Sequence, residues 1–248
     1  CLITMNQTPP EKCIVNYDDK TLRDLAGKLT PDVIYFSRLS KLDRGIYLDG
    51  QDIMYSDGEK TVKVISRPEI TLMGDHNVEN VMAAAGIAIA MGVDIETIAD
   101  VIRHFKAVEH RIEYVCTKHG VSYYNDSKGT NTDASEKAVA AMTSPCILIA
   151  GGYDKGADYT DWISGFDGRV KKMILIGTTA EKIRDTALKC GFTDIIMAGD
   201  LEHAVNIAAE EAEEGDAVLL SPACASWDQF KSYEQRGRIF KDLVNALD

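Results

Sequence analysis

The second half of the chain alternates short apolar segments with helical segments, and this alternation restricts the fold more than any other feature. The apolar segments carry little polar alternation, which is typical of parallel strands covered on both faces. Repeated strand–helix units with short links predict an α/β domain with a doubly wound, Rossmann-like sheet. The predicted strands are Cys146–Ala150, Met173–Ile176, Ile195–Met197 and Ala217–Leu220, and the helices after them lie near Tyr159, over Ala180–Lys189, over Leu201–Glu213 and from about Asp228 to Leu247.

The earlier part of the chain has a different pattern. Asp49-Gly50 and Asp57-Gly58 separate segments in which apolar and polar residues alternate, which predicts a small antiparallel piece with hairpin turns. An amphipathic helix follows over Asn77–Met91, and a second begins after Asp94 and presents an apolar face that extends to Phe105. We place the boundary between two domains near residues 108–111, with one domain over 1–108 and the other over 109–248.

Composition excludes several classes of protein. The 27 basic and 39 acidic residues leave a net charge of −12, which repels nucleic-acid backbones. No apolar run reaches the ~18 residues of a membrane span. The cysteines lack C-x-x-C spacing, and three of the six lie in strand-like segments, so we expect reduced thiols in a cytoplasmic protein. The five histidines show no metal-ligand spacing, so no metal site is predicted within the chain.

The loops that follow the predicted strands contain most of the chemically versatile residues. Because ligands bind beyond the carboxyl ends of parallel strands, these loops are expected to share one edge of the sheet. They contain Asp126, Lys128, Thr130, Lys155 and Ser226, together with several glycines. Two ammonium groups, hydroxyls and free backbone N–H groups at one edge predict a site for a polyanion or a dicarboxylate.

Each of these residues also has a purely structural interpretation. Asp126 could cap the helix that begins near Thr132, and Ser226 could cap the final helix. Gly151-Gly152 could form only a tight turn, and Lys155 could be a solvated surface lysine. No segment has the complete G-x-x-x-x-G-K-[ST] pattern of a phosphate-binding loop. Asn77 and Asn80, three residues apart on one helix, could read the edge of a heterocycle or act as helix caps.

Four segments resemble those of the Mur ligases. Gly74–Asn80 has the pattern G-x-H-N-x-x-N, and His110–Glu113 has the pattern H-R-x-E of the junction into the last domain. Asn125–Asn131 and Ser221–Phe230 resemble the members of this family that add D-glutamate. The resemblance extends from about residue 11 to the end of the chain.

The resemblance implies ATP-dependent formation of an amide between D-glutamate and UDP-N-acetylmuramoyl-L-alanine through an acyl phosphate. This reaction belongs to peptidoglycan precursor synthesis, and so to cell-wall growth and division. The cofactors implied are ATP and Mg²⁺, and the partners are the small-molecule substrates alone. We expect a cytoplasmic monomer that binds neither nucleic acid nor a membrane.

Carried over position by position, the resemblance also implies roles for individual residues. The nucleotide would be bound by Asn77, Asn80, Arg111 and Asp126, with Arg111 and Lys128 acting on the reacting groups. D-Glutamate would be bound by Lys128, Thr130, Lys155, Ser226, Trp227 and Tyr233. The sequence departs from the family at Gly129, where alanine is expected, at Trp227, where Leu or Phe is usual, and at Tyr233, where Phe is common.

The family's UDP-binding domain, its phosphate-binding loop and its magnesium ligands would lie upstream of Cys1. The chain is therefore expected to be part of a longer protein, in which residues 1–108 end the central ATP-binding domain. By itself this part is expected to be inactive. A non-catalytic nucleotide-binding module with the same fold remains the alternative, and a phosphate-binding loop upstream of Cys1 would decide between them.

Overall fold

A computed structural model of the chain describes residues 4 and 6–247. It divides into two compact units, Cys1–Lys106 and Ala107–Asp248. The predicted boundary near residue 108 lies two residues beyond this division. None of the helices in the part of the chain that the structure describes is long and apolar enough to cross a membrane.

The first unit is a five-stranded mixed sheet with three helices. Strand pairing is parallel from β1 to β3 and antiparallel from β3 to β5, in the spatial order β1-β2-β3-β4-β5. The elements are β1 (Lys12–Asn16), α1 (Lys20–Ala26), β2 (Asp32–Ser37), β3 (Gly45–Asp49), β4 (Asp52–Ser56), β5 (Thr61–Ser66), α2 (Asp75–Ala90) and α3 (Ile95–His104). A short 3₁₀ turn over Arg67–Glu69 follows β5.

The core of this unit lies between the sheet and α2. Ile46, Ile53, Ile65 and Met82 are fully buried there. The Asp19 and Asp94 carboxylates accept hydrogen bonds from backbone N–H groups in the first turns of α1 and α3, as N-caps do.

The apolar face predicted for α3 is only partly buried. Ile98 is 5% exposed and packs in the core, whereas Val101 and Phe105 are 59% and 48% exposed. Only part of the predicted apolar face is therefore buried. Periodicity identifies one side of a helix, but it does not show how much of that side a neighbouring element covers.

The second unit is a six-stranded sheet with helices packed on it. Its strands lie in the order β10-β9-β8-β11-β7-β6, and every neighbouring pair is parallel except β6 and β7. The elements are β6 (Glu113–Lys118), β7 (Val121–Asn125), α4 (Thr132–Ala140), β8 (Cys146–Gly151), α5 (Thr160–Ser164), β9 (Val170–Ile176), α6 (Ala180–Lys189), β10 (Ile195–Met197), α7 (Leu201–Glu211), β11 (Ala217–Leu220) and α8 (Tyr233–Ala246). This architecture confirms the predicted α/β class and the doubly wound second half.

The register of the sheet brings the strand ends level. Leu220 at the end of β11 pairs with Asn125 of β7 and with Ile149 of β8, and Gly151 of β8 pairs with Ile176 of β9. The loops after β7, β8, β9 and β11 therefore leave the sheet at one edge, as predicted.

The final helix begins later than predicted. Its first residue is Tyr233, and the hydroxyl of Ser232 caps it by accepting a hydrogen bond from the Gln235 N–H. Ser226 lies six residues before the cap, so it does not cap this helix. The first turn of α8 therefore begins at Tyr233 and not beside Ser226 and Trp227.

Candidate active site

Arg236 joins two of the loops at the carboxyl edge of the second sheet. It is fully buried in the first turn of α8. Its Nε donates to the Ser127 hydroxyl over 2.9 Å, and its Nη2 donates to the Ser127 and Cys224 carbonyls over 2.8 and 3.2 Å. Burial lowers the pKa of Arg236 to about 10, so the guanidinium stays charged at neutral pH. Arg236 thus ties the loop after β7 to the loop after β11.

Sequence reasoning did not identify Arg236, although a signal for it existed. Residues 236, 240 and 244 are spaced by four, and Phe240 and Val244 are both fully buried. An arginine on the apolar face of an amphipathic helix must satisfy its donors within the protein, because burying an unpaired charge is costly. That pattern predicts a cluster of carbonyl acceptors around it.

Asp126 lies at the end of β7 in a buried position. Its Oδ1 accepts from the Ile112 N–H over 3.2 Å, and its Oδ2 accepts from the Ser221 hydroxyl over 2.7 Å. Burial raises the pKa of Asp126 to about 7. Asp126 does not cap α4, because the Asn131 side chain accepts the hydrogen bond from Ala134 N–H at that helix start.

Arg111 is held between two residues that are attached to the loop after β7. His110 and Ile112 both have left-handed backbone conformations, with φ of 66° and 46°. The His110 carbonyl accepts from the Lys128 N–H over 3.0 Å, and the Ile112 N–H donates to Asp126. Arg111 itself is exposed. Its backbone position is therefore set by Asp126 and Lys128, the residues with which it is predicted to act.

His110 is a buried, neutral histidine. Its Nδ1 accepts from Asn125 Nδ2 over 2.9 Å, so the ring proton is on Nε2, which has no hydrogen-bond partner among the described residues. Burial lowers the pKa of His110. Glu109, His110 and Glu113 form a group of the kind that holds metal ions, but the Lys241 ammonium lies 2.7 Å from Glu109 Oε1 and 3.0 Å from Glu113 Oε1. This lysine already supplies the cation that the two carboxylates require.

Lys128 and Tyr233 are brought together although they are far apart in the sequence. The Lys128 ammonium lies 5.7 Å from the centre of the Tyr233 ring, which is a cation–π distance. The Ser127 hydroxyl donates to the Tyr233 carbonyl over 2.8 Å and so fixes the start of α8 beside this loop. Thr130, two residues beyond Lys128, is half-buried.

Lys155 and Ser226 lie on two neighbouring loops that are hydrogen-bonded to each other. The Tyr153 N–H donates to the Ala225 carbonyl over 2.9 Å. The rings of Tyr153 and Trp227 lie 5.6 Å apart, and Trp227 is 65% exposed. Ser226 is buried, whereas Lys155 is exposed and its ammonium has no hydrogen-bond or ion-pair partner within residues 6–247. An exposed lysine and a buried hydroxyl thus lie on two joined loops.

Asn77 and Asn80 lie in the first turns of α2, in the other unit. Gly74 is the N-cap of α2, so neither asparagine is a cap. Asn77 Nδ2 donates to the Met73 carbonyl over 2.7 Å, and Asn80 Nδ2 donates to Asn77 Oδ1 over 3.2 Å. The Asn80 amide keeps its oxygen and one N–H for an outside partner.

Asn80 and Gly129 each have a feature that bears on a predicted site residue. The exposed Asn80 amide offers one acceptor and one donor, which matches the polar edge of an adenine ring. Gly129 leaves room beside Asp126, because a Cβ at residue 129 would overlap Asp126 Oδ2. Glycine at residue 129, where the family pattern has alanine, therefore leaves space for the Asp126 carboxyl group.

Comparison with known proteins assigns the chain to a family. The Mur ligase middle domain matches residues 1–88, and the glutamate ligase domain of the Mur ligases matches residues 110–224. Two domains of one family thus match successive parts that together make up most of the sequence. The chain belongs to the Mur ligase family.

Two similar curated relatives carry the same name. The chain is 50% identical over 245 residues to the UDP-N-acetylmuramoylalanine–D-glutamate ligase of Lachnospira eligens, and 49% identical over 245 residues to that of Lachnoclostridium phytofermentans. In both cases 99% of this chain and 54% of the relative are covered. The chain spans about half the length of the curated relatives it matches.

Solved structures share the fold at low sequence identity. The UDP-N-acetylmuramoylalanyl-D-glutamyl-2,6-diaminopimelate–D-alanyl-D-alanyl ligase of Acinetobacter baumannii has a TM-score of 0.65 at 15% identity, covering 97% of this chain and 53% of that one. The MurF ligase of Thermotoga maritima, solved in complex with ADP, has a TM-score of 0.62 at 15% identity, covering 94% and 54%. At such identities the likeness shows the fold alone.

Proposed function

We propose that the protein containing this chain is an ATP-dependent ligase that adds D-glutamate to UDP-N-acetylmuramoyl-L-alanine, in cytoplasmic synthesis of peptidoglycan precursors. One observation carries this proposal: the Lys155 ammonium, which has no hydrogen-bond or ion-pair partner among the described residues, and the buried Ser226 hydroxyl lie on two loops that are hydrogen-bonded to each other at the carboxyl edge of the sheet. A dicarboxylate requires cationic partners at such an edge. The identity of about 50% to ligases of this name supports the choice of amino acid.

The second unit would hold D-glutamate. Lys155 and Lys128 would each pair with a carboxylate, and the hydroxyls of Thr130 and Ser226 would donate hydrogen bonds. The backbone N–H groups of Trp227 and Tyr233 would complete the contacts. Because a charge-assisted hydrogen bond contributes ~1.5–3 kcal/mol, the two lysines would supply most of the binding free energy.

The nucleotide contacts are proposed from the resemblance, residue by residue. Asn77 and Asn80 would bind the adenine, and Asp126 would accept hydrogen bonds from the ribose hydroxyls. Arg111 would reach the transferred phosphoryl group. In this proposal residues 1–108 form the C-terminal part of the ATP-binding domain, and residues 109–248 form the amino-acid-binding domain.

ATP, with Mg²⁺ bound outside this chain, would supply the phosphoryl group that activates the acceptor carboxylate as an acyl phosphate. The chain's own residues would orient and neutralise the reacting groups. Arg111 and Lys128 would offset negative charge as it develops, which is the main requirement of phosphoryl transfer. The D-glutamate pocket would place the unprotonated amine in line with the activated carbon.

The test is to measure ATP-dependent ligation by the full-length protein with Lys155→Ala. The KM for D-glutamate is expected to rise ~10- to 100-fold, corresponding to ~1.4 kcal/mol per tenfold, with the KM for ATP little changed. Lys189→Ala removes an exposed lysine at the far end of α6 and is the control.

Three outcomes would count against this assignment. A raised KM for ATP with an unchanged KM for D-glutamate would place Lys155 in the phosphate site. Equal effects of the two substitutions would remove Lys155 from the site. Nucleotide binding without any ligation would favour a non-catalytic binding module.

A further inference from the structure

Thr179 occupies the N-cap position of α6, but its hydroxyl does not cap the helix. A threonine at this position ordinarily accepts a hydrogen bond from a backbone N–H in the first turn. Here the side chain makes no such bond. Thr179 is 1% exposed, and its hydroxyl lies 3.0 Å from both the nitrogen and the carbonyl oxygen of Gly152 and 3.3 Å from Cys224 Sγ.

The Gly152 peptide carries the loop that presents Lys155. Gly152 has φ of 145°, and a Cβ there would overlap the Ala225 carbonyl oxygen. Gly177 has φ of 75°, and a Cβ there would contact Gly152 and overlap Asp228. Three loops therefore meet at Gly152 at close range. Lys155 follows three residues later, and its ammonium has no hydrogen-bond or ion-pair partner among the residues that the structure describes.

The two backbone groups of Gly152 depend on Thr179 to different degrees. Its carbonyl has donors besides the Thr179 hydroxyl, namely the Thr178 hydroxyl and the Thr179 N–H, each at 3.0 Å. Among the described residues, its N–H has one acceptor, the Thr179 hydroxyl. Removing the Thr178 hydroxyl thus leaves the carbonyl satisfied, whereas removing the Thr179 hydroxyl leaves a buried N–H unpaired, which costs far more.

We propose that Thr179 is a positioning residue for the D-glutamate pocket, because its hydroxyl fixes the Gly152 peptide and thereby sets where Lys155 stands relative to Ser226. This rests on the proposed function of that pocket. Residues that hold a binding group indirectly matter because small displacements of the group weaken its contacts.

The test compares Thr179→Val, which keeps the shape but lacks the hydroxyl, with Thr179→Ser, which keeps the hydroxyl. Thr178→Val is the matched control on the adjacent residue. All are made in the full-length protein. Two quantities are measured: hydrogen–deuterium exchange of the Gly152 amide, and the KM values for D-glutamate and ATP.

In Thr179→Val the Gly152 amide is expected to exchange at least ~10-fold faster. The KM for D-glutamate is expected to rise ~10-fold with the KM for ATP unchanged. Thr179→Ser and Thr178→Val should match the wild type in both measurements. Wild-type exchange and KM values in Thr179→Val would overturn the proposal, as would equal impairment in all three variants.

The exchange measurement separates this proposal from the proposed function. If the wild-type protein uses no D-glutamate, the proposed function fails, and Gly152 exchange in the three variants still decides whether Thr179 fixes the loop. If Thr179→Val does not fold, Thr179→Ser carries the test, because a ~10-fold higher KM for D-glutamate in that variant would refute the role of the hydroxyl.

Discussion

At the scale of single residues, Asp126 is a carboxyl group whose surroundings disfavour its charge. It is 4% exposed, and burial outweighs the hydrogen bonds from Ser221 and Ile112 and the positive charges of Arg111 and Arg236. The result is a pKa of about 7 in the folded chain, compared with an ordinary value of 3.8. A ligand that brings donors to this carboxylate would favour its charged form.

This shift predicts how stability depends on pH. Between about pH 4 and pH 7 the folded state binds more protons at Asp126 than the unfolded state does, so the free energy of unfolding falls as the pH rises. Above pH 7 this contribution no longer changes. The fall amounts to at most ~1.4 kcal/mol per unit of pKa difference. Urea denaturation at a series of pH values should show it in the wild-type chain and not in Asp126→Asn.

Asp133→Asn is the control for this experiment, because Asp133 has a side chain 75% exposed in the next helix. That variant should keep the pH dependence of the wild type. A pH dependence that persists unchanged in Asp126→Asn would show that another group causes it.

At the scale of elements, helix α8 is hydrogen-bonded to the loops at the carboxyl edge of the second sheet. Arg236 satisfies carbonyl groups on the loops after β7 and β11, and Gly237 lets His110 lie against the helix, since a Cβ there would overlap the imidazole. The same turn of helix therefore holds both the β7 loop and the junction that carries Arg111.

Arg236→Ala is expected to destabilise the chain by about 3 kcal/mol or more, because it leaves the Ser127 and Cys224 carbonyls unpaired in a buried site. Arg238→Ala, two residues along the same helix and exposed, should change stability by less than ~0.5 kcal/mol. Chemical denaturation of the two variants gives the comparison. Similar losses in both would mean that the buried guanidinium adds little to the packing of α8.

At the scale of the whole molecule, each of the two compact units has its own core. The second unit is centred on β8, β9 and β11, in which Ile147, Ile149, Ile174 and Val218 are fully buried. Residues 107–112 belong to this unit through the hydrogen bonds of His110 and Ile112 to the β7 loop.

This organisation predicts how the stability of the second unit depends on the residue at which it begins. Residues 107–248 alone should unfold in one cooperative transition, followed by circular dichroism in urea. Residues 112–248 lack His110, which removes the carbonyl partner of the Lys128 N–H and one of the three acceptors around the Asn125 amide, and should be less stable by about 2 kcal/mol. Equal stability of the two pieces would show that the junction does not contribute to this unit.

The sequence by itself determined the local elements and the shared sheet edge. Asp19 and Asp94 mark helix starts, and unalternated apolar segments such as Cys146–Ala150 mark buried parallel strands, because capping and burial act on neighbouring residues. The level strand ends follow from the same parallel pattern. These elements can be predicted from the sequence because the residues that form them are close together in the chain.

Only the tertiary structure decided the strand order, the start of α8 and the contacts of Arg236 and Thr179. Asp228 accepts from the Thr178 N–H, fifty residues away in the sequence, and the segment up to Ser232 is thereby held outside the helix that periodicity predicted. Arg236 and Ser127 are separated by 109 residues. Such contacts form only when distant loops meet, so no pattern of neighbouring residues encodes them.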